Sequence, residues 1–376
     1  MTQIAWLMCW ISAGLLVHVF VGYPLIMGCW ARMRPLPVAR GAAQPSVTVV
    51  VAVHDGSRLV RAKLANLRAL DYPQDRVDII LACDGCTDDT VAVARRDTDP
   101  RLRVLAFAHR RGKAACLNDA VAQARGDVIL FTDIRQRLAP GALRELVANL
   151  ADPTVGAVGG ELHMENVRGG FAQGVDFYWR YEKLIRRSEA LSGSTIGVSG
   201  ALYAMRRDLF ERLPEGTVLD DVLVPMRVAA RGFRVVFEPR AIAWDQPSQH
   251  PDDERRRKIR TLAGNYQLVQ LAPWLLLPWS NPLWFRFVSH KLLRLLAPWL
   301  IVGFTLGCGL LFTRHPMYAA GFSGVAVATA MVGVARLRPA LGRWFPLRVA
   351  VAFFYLNLFA AQALLAFARN RRLHLW

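Results

Sequence analysis

A chain of 376 residues in which 53% are hydrophobic, with a mean hydropathy of +0.24, is too apolar for an average soluble protein and too long for one domain. Intrinsic disorder and a disulfide-stapled miniprotein are excluded by the same figures. Lys and Arg number 47 against 29 Asp and Glu, giving a net charge of +18, and only five of the cations are lysines. Arginine suits phosphate and carboxylate partners. Composition admits nucleic acid, an anionic membrane surface or a polyanionic substrate, and the positions of the charges must choose.

Residues 4–30 are almost uninterruptedly apolar, broken only by His18, and are long enough to cross a bilayer as a helix. No basic residue precedes the run and no small-residue cleavage site follows it, so it reads as an anchor, not a signal peptide. Arg32, Arg34 and Arg40 come next, which by the positive-inside rule places the following domain in the cytoplasm.

From residue 46 to about 262 the pattern alternates. Residues 46–53, 77–82, 102–107 and 127–131 read as strands, and 58–70, 87–96 and 113–124 as helices. That rhythm predicts a mostly parallel sheet with helices on both faces. Ligands of such sheets bind outside the carboxyl ends of the strands. His54 and Asp55 follow the first strand, Asp84 the second, and Thr132 and Asp133 the fourth, so three acidic side chains converge on one edge. Each alone also suits a turn or a helix cap. No G-x-G-x-x-G follows strand one and no G-x-x-x-x-G-K-[ST] occurs, so any diphosphate must be held by arginines and an acid-bound divalent cation. Cys83 and Cys86 form one C-x-x-C without the second pair or histidines that a zinc site needs.

Residues 264–288 carry Pro273, Trp274, Pro278, Trp279, Pro282 and Trp284, too broken for a clean span. They read as interfacial helices or as a Pro-punctuated core segment. Three further apolar runs, 295–312, 317–335 and 349–368, bring the spans to four. Arg336, Arg338, Arg343 and Arg348 mark the last connection as cytoplasmic, whereas four spans put Arg369, Arg371 and Arg372 outside, against the same rule. The domain plan is therefore an anchor and basic linker over 1–45, an α/β domain over 46–262, interfacial helices over 263–290 and membrane helices over 291–376. The arginines flank apolar spans and form no aromatic-interleaved stripe, so nucleic acid is not a partner.

The residues Val49-Val50-Val51-Ala52-Val53-His54-Asp55, Leu70-Asp71-Tyr72-Pro73, Cys83-Asp84-Gly85-Cys86-Thr87-Asp88-Asp89-Thr90, Gly112-Lys113 with Leu117-Asn118, and Gly126-Asp127 with Phe131-Thr132-Asp133 together resemble the nucleotide-binding half of membrane-bound family 2 glycosyltransferases, relatives of the cellulose, chitin and hyaluronan synthases. Val198-Ser199-Gly200-Ala201, Leu219-Asp220-Asp221 and Arg257-Lys258-Ile259-Arg260-Thr261 follow in the family's order. The resemblance implies an α/β GT-A fold, Rossmann-like and mostly parallel, on the cytoplasmic side of an inner membrane. It implies a nucleotide-sugar donor, UDP-linked by family habit, a glycan or lipid-linked acceptor, membrane lipids as neighbours and a polysaccharide synthase complex as a partner.

By the same resemblance Asp84 contacts the nucleotide base, with Cys83 and Cys86 standing where Asp and Ser are usual, and His54 belongs to the same edge. Asp133 matches the first Asp of the D-x-D that serves ribose, diphosphate and a Mg2+ or Mn2+ ion, but the second is Arg135. Either Arg135 is a fixed cation against the diphosphate or it points away and Asp133, phosphates and water hold the metal. Of the acidic pair Asp220 and Asp221, the second is the general base, which takes the proton of an acceptor hydroxyl too weakly acidic to attack unaided. Arg257 and Arg260 occupy the ends of the family's Q-x-x-R-W and share one helix face. Arg260 is read as catalytic and Arg257 as part of a diphosphate clamp, while Lys113 is either a phosphate contact or a solvated helix start. The implied reaction is inverting hexosyl transfer; the alternative is a non-catalytic membrane subunit of a synthase complex.

Overall fold

A computed structural model describes residues 2–165, 170–246, 251–337, 345–369 and 375. Arg338, Arg343, Arg371 and Arg372, on which the loop and tail charges were read, lie outside the described residues. The strands are β1 Val47–Val53, β2 Val77–Asp84, β3 Leu102–Phe107, β4 Val128–Phe131, β5 Arg137–Leu138, β6 Val155–Met164, β7 Tyr203–Arg206 and β8 Arg234–Asp245. They form one sheet in the order β3-β2-β1-β4-β7-β6-β8-β5. The β3-β2-β1-β4 half is parallel, β7 runs antiparallel to both β4 and β6, and β6 and β8 are parallel. Strand order reverses between β1 and β4, which opens the crevice at their carboxyl ends.

The strands of the first half read as continuous apolar runs because both faces are buried. Val47, Val49, Val51 and Val53 point into one core with the Ser57–Arg68 and Ala142–Asn149 helices, and Val50 and Ala52 into the other with the Lys113–Ala122 and Asp220–Ala230 helices. The one-residue alternation fixes the register. It also decides which way each post-strand residue faces.

Four helices among the described residues are long and apolar enough to cross a membrane: Thr2–Met33, Trp284–Leu310, Pro316–Ala335 and Leu347–Arg369. Large apolar side chains such as Ile4, Trp6, Leu25, Leu306 and Leu365 stand exposed on them, as a lipid-facing surface requires. The first helix packs on the second through small residues: a Cβ on Gly307 would fall 2.8 Å from the Cys9 backbone nitrogen, and Cys9 and Cys308 sulfurs meet at 3.5 Å. The second span begins at Trp284, inside the stretch read as interfacial. The remainder of that stretch divides: Leu268, Ala272, Leu275 and Phe287 join the second core of the sheet domain, while Trp279 is 79% exposed.

Charged residues join the spans to the sheet domain. Tyr23 donates to Glu189, His290 bridges Glu189 (2.7 Å) and Glu182 (3.0 Å), and Arg294 pairs with Glu182. Arg286 donates to the backbone oxygens of Glu189, Ser192 and Ser194. Buried carboxylates such as Glu182 and Glu189 are tolerated when paired and hydrogen-bonded in this way. The last helix, Phe345–Arg369, lies against the Pro251–Leu271 helix, with Ala363 buried on Ala263 and Phe367 stacked on Tyr266. A candidate membrane span thus braces the helix that carries Arg257 and Arg260.

Candidate active site

The carboxyl end of β1 is organised by hydrogen bonds to backbone amides. Asp55 adopts a positive φ of 47°, a conformation Asp tolerates better than most residues. It accepts from the Thr87 amide (2.7 Å) and hydroxyl (3.0 Å) and the Asp88 amide (3.4 Å), and the Thr87 amide leads in holding its carboxyl below the ordinary value. His54 Nδ1–H donates to the Asp84 carbonyl at 2.8 Å, which leaves Nε2 3.4 Å from Asp55.

Asp84 is fully buried at the end of β2, and both its oxygens are engaged, accepting from the amides of Arg111 (2.7 Å) and Gly112 (2.8 Å). The sequence reading set it against the nucleotide base; its visible work is to fix the loop that opens the Lys113–Ala122 helix. Gly85 makes this possible: its φ is +57°, and a Cβ would lie 2.3 Å from the Arg110 nitrogen.

That loop delivers Lys113 to the centre of the acidic cluster. Its Nζ lies 3.0 Å from Asp133 and 3.3 Å from Asp220, with Asp221 in its field. Burial pulls Lys113 down, but these three carboxylates outweigh it and hold the ammonium above its ordinary value. Burial pushes the Asp220 carboxyl up, Lys113 opposes, and Asp221 and Asp133 add to the rise, to about 6. One ammonium shared among three carboxylates cannot satisfy all of them, and the Asp220 oxygen nearest it makes no hydrogen bond.

Asp220 and Asp221 open the Asp220–Ala230 helix and face different ways. Asp220 is buried beneath Lys113, whereas half-buried Asp221 lines a cavity of about 200 Å3 with Ser199, Thr261 and Lys291. Gly200 presses close to both: a Cβ there would lie 3.4 Å from Lys113 Nζ and 3.5 Å from an Asp221 oxygen. Arg260 enters from the Pro251–Leu271 helix. Burial pulls it below its ordinary value, Asp133 and Asp220 oppose, and Arg257 adds to the fall. Its Nε is buried without a hydrogen-bond partner.

Arg135 turns elsewhere. It meets Asp245, at the end of β8, at 3.1 Å, and the same buried carboxylate accepts from Gln136 (2.9 Å) and lies 3.8 Å from Arg257. Asp245 was missed in the sequence, although an acid ending a strand is the same signal that marked Asp84. Buried Lys63 was also missed. It donates to the Thr132 hydroxyl (2.8 Å) and the Gln136 carbonyl (2.7 Å), bracing the Asp133 loop from below, and burial, opposed by Asp133, brings it down to about 7. Scarcity was the available signal: four of five lysines, Lys63, Lys113, Lys183 and Lys291, touch the Asp133 loop, the acidic cluster or the cavity.

The structure therefore gathers Lys113, Asp133, Asp220, Asp221 and Arg260, sets Arg257 and Arg135 on Asp245 beside them, and places His54 and Asp84 at the neighbouring strand ends. A larger cavity of about 500 Å3, lined by Ala43, Gln44, Arg76, Asp127 and Arg206, lies at the opposite end of β1 and β4. A divalent cation fits modestly. Asp133 Oδ1 faces Lys113, but Arg135 does not cover the other oxygen, and one carboxylate completed by substrate phosphates suffices for Mg2+ or Mn2+. Among the described residues the one cluster of three metal-ligating types is His54, Asp55 and Cys86, at the β1 end.

Residues 45–264 match a family model described as glycosyltransferase like family 2. Poly-β-1,6-N-acetyl-D-glucosamine synthase of Staphylococcus aureus is 24% identical over 230 residues, 59% of this chain and 55% of that one. A probable glycosyltransferase of Bacillus subtilis, YdaM, is 26% identical over 240 residues, 60% and 56% of the two chains. The chain spans about half the length of these curated relatives. The mannosyltransferase PcManGT of Pyrobaculum calidifontis, solved with GDP-Man and Mn2+, superposes with a TM-score of 0.71 at 24% identity over 97% of this chain and 99% of that one. At that identity the likeness is one of fold, the GT-A arrangement.

Proposed function

The chain belongs to glycosyltransferase like family 2, and on that premise we propose that it is a membrane-bound inverting glycosyltransferase moving a hexose from a UDP-sugar to the hydroxyl of a glycan or lipid-linked acceptor. The observation that carries the reading is the convergence of Asp133, Asp220, Asp221 and Arg260 around Lys113 at the crevice between β1 and β4. Arg32, Arg34 and Arg40, between the first span and β1, favour a cytoplasmic sheet domain in an inner, multi-pass membrane setting.

The geometry supports one division of labour. His54 and Asp55 offer the nucleoside a polar edge, and Asp84 sets the loop beside it. The acceptor hydroxyl enters the cavity and gives its proton to Asp221 as its oxygen attacks the anomeric carbon, while the bond from that carbon to the diphosphate breaks on the far side. Arg260 and Lys113 supply positive charge where the departing diphosphate gains negative charge, and Arg257 adds to it from its place on Asp245. A divalent ion bound through Asp133 would supply further neutralisation of that diphosphate. Lys63 and Asp245 hold the Asp133 loop and its arginines in position.

The test uses the full chain in lipid nanodiscs with a panel of radiolabelled nucleotide sugars. Slow hydrolysis of one UDP-sugar without acceptor, and incorporation of label when a membrane extract is added, is the expected result; the length of the labelled product separates polymer from single addition. Binding of a nucleotide sugar with neither hydrolysis nor transfer would overturn the enzyme and leave the non-catalytic subunit.

A further inference from the structure

The cavity that Asp221 lines also holds two cations with no direct ion pair. It is walled by the Gly170–Leu191 helix, the loop 195–199, Thr261 and the near end of the Trp284–Leu310 span, where Lys291 sits. Of its carboxylates, Glu161 is met by Lys183 (2.6 Å), Arg187 (3.1 Å) and His163 (3.1 Å), and Glu182 by His290 and Arg294. Two cations, Arg186 and Lys291, remain. Neither makes a hydrogen bond or ion pair among the described residues; Lys291 feels the charge of Arg186, and against it those of Glu182, Asp221 and Glu189, while Arg186 in turn acts on Glu182. These carboxylates act from beyond ion-pair distance, so an anion seated between Arg186 and Lys291 would give both cations the direct contact they lack.

Resting on the glycosyltransferase reading, the geometry points to a phosphate-binding acceptor subsite: Arg186 and Lys291 hold the phosphate of a lipid-linked acceptor while that acceptor's hydroxyl lies at Asp221. Arginine and lysine together are a phosphate pair, one as a planar fork and one as a point charge. The lipid source is argued from position, because Lys291 stands near the start of the candidate span Trp284–Leu310, which forms part of the cavity wall. The cavity, about 200 Å3, is lined by Asp221 as well as by the two cations, and its size suits one sugar unit. No new bond chemistry is needed: the phosphate stays attached to its lipid and serves as a handle.

The experiment compares three acceptors carrying the same sugar in nanodiscs of neutral phosphatidylcholine with the full chain: a polyprenyl diphosphate, a neutral alkyl glycoside and the soluble sugar 1-phosphate. Wild type should use the polyprenyl diphosphate with a kcat/KM at least tenfold above the neutral glycoside. That ratio should collapse towards one in Arg186→Gln and Lys291→Gln and persist in Arg186→Lys. Equal use of neutral and phosphate acceptors by wild type, or a ratio that both Gln variants leave intact, would overturn the subsite. Equal use of the soluble sugar phosphate would overturn the lipid assignment. Acceptor-free hydrolysis of the donor by wild type is read in parallel. Hydrolysis without phosphate preference sinks this inference alone, whereas neither hydrolysis nor transfer with any donor sinks the reading beneath it as well.

Discussion

The two rims of the crevice spend their charges differently. At the ends of β1 and β2 the carboxylates of Asp55 and Asp84 are taken up by backbone amides of their own loops. Across the crevice, one ammonium serves Asp133, Asp220 and Asp221, an Asp220 oxygen and Arg260 Nε lack hydrogen bonds, and Arg186 and Lys291 face open space. Satisfied acids build a rigid edge against which a nucleoside can lie. Under-satisfied ones keep the free energy that a reacting, charge-shifting substrate can use.

The contrast can be broken or sharpened by removing charges from each side in turn. Stripping divalent ions with EDTA should abolish transfer, and Mn2+ or Mg2+ should restore it, because Asp133 is the one loop carboxylate left to hold a cation once Arg135 is drawn to Asp245. Activity that survives EDTA would return Arg135 to the diphosphate. Arg260→Gln should lower kcat by about 10²- to 10³-fold, as expected for a cation aimed at developing charge. On the other rim Asp84→Ala should act through folding: two buried amides lose their acceptor, costing about 3 kcal/mol and lowering Tm by about 6–12 °C. An Asp84 variant as stable as wild type but blind to nucleotide would move this residue to the other class.

Smaller effects discriminate further. The Asp220 carboxyl lies above its ordinary 3.8, at about 6, so the folded state favours its protonated form. The resulting stabilisation is fully present below the ordinary value and is lost as pH rises through about 6. Asp220→Asn, which mimics the protonated form, should therefore gain Tm relative to wild type between pH 5 and pH 7; a difference independent of pH would contradict the assignment. Least affected is Arg135→Gln, whose guanidinium is 42% exposed on one buried carboxylate, and it should change kcat/KM by less than about fivefold.

Much of the sheet was readable because its strands are buried on both faces, so Val47–Val53 and Val77–Asp84 announce themselves as uninterrupted apolar runs. The site was readable only as far as proximity to strand ends goes. Sequence shows that an acid follows β2; it does not show that Arg111 and Gly112 occupy both its oxygens. Lys113 stayed undecided because its partners, Asp133 and Asp220, lie 20 and 107 positions away. Asp245 and Arg135 are a long-range pair of the same kind. The stretch 264–288 was ambiguous for another reason: its tryptophans and prolines suit an interface and a core equally, and in the fold Leu268, Ala272 and Leu275 join the second core, Trp279 is exposed and Trp284 opens a candidate span.

Asp221 is proposed to take the acceptor's proton in a site that binds the donor without it. Asp221→Asn, assayed by calorimetric titration with the nucleotide sugar and by label transfer to acceptor, measures both halves at once. The account predicts donor affinity within about twofold of wild type and transfer reduced by about 10²- to 10⁴-fold; near-normal transfer would contradict it.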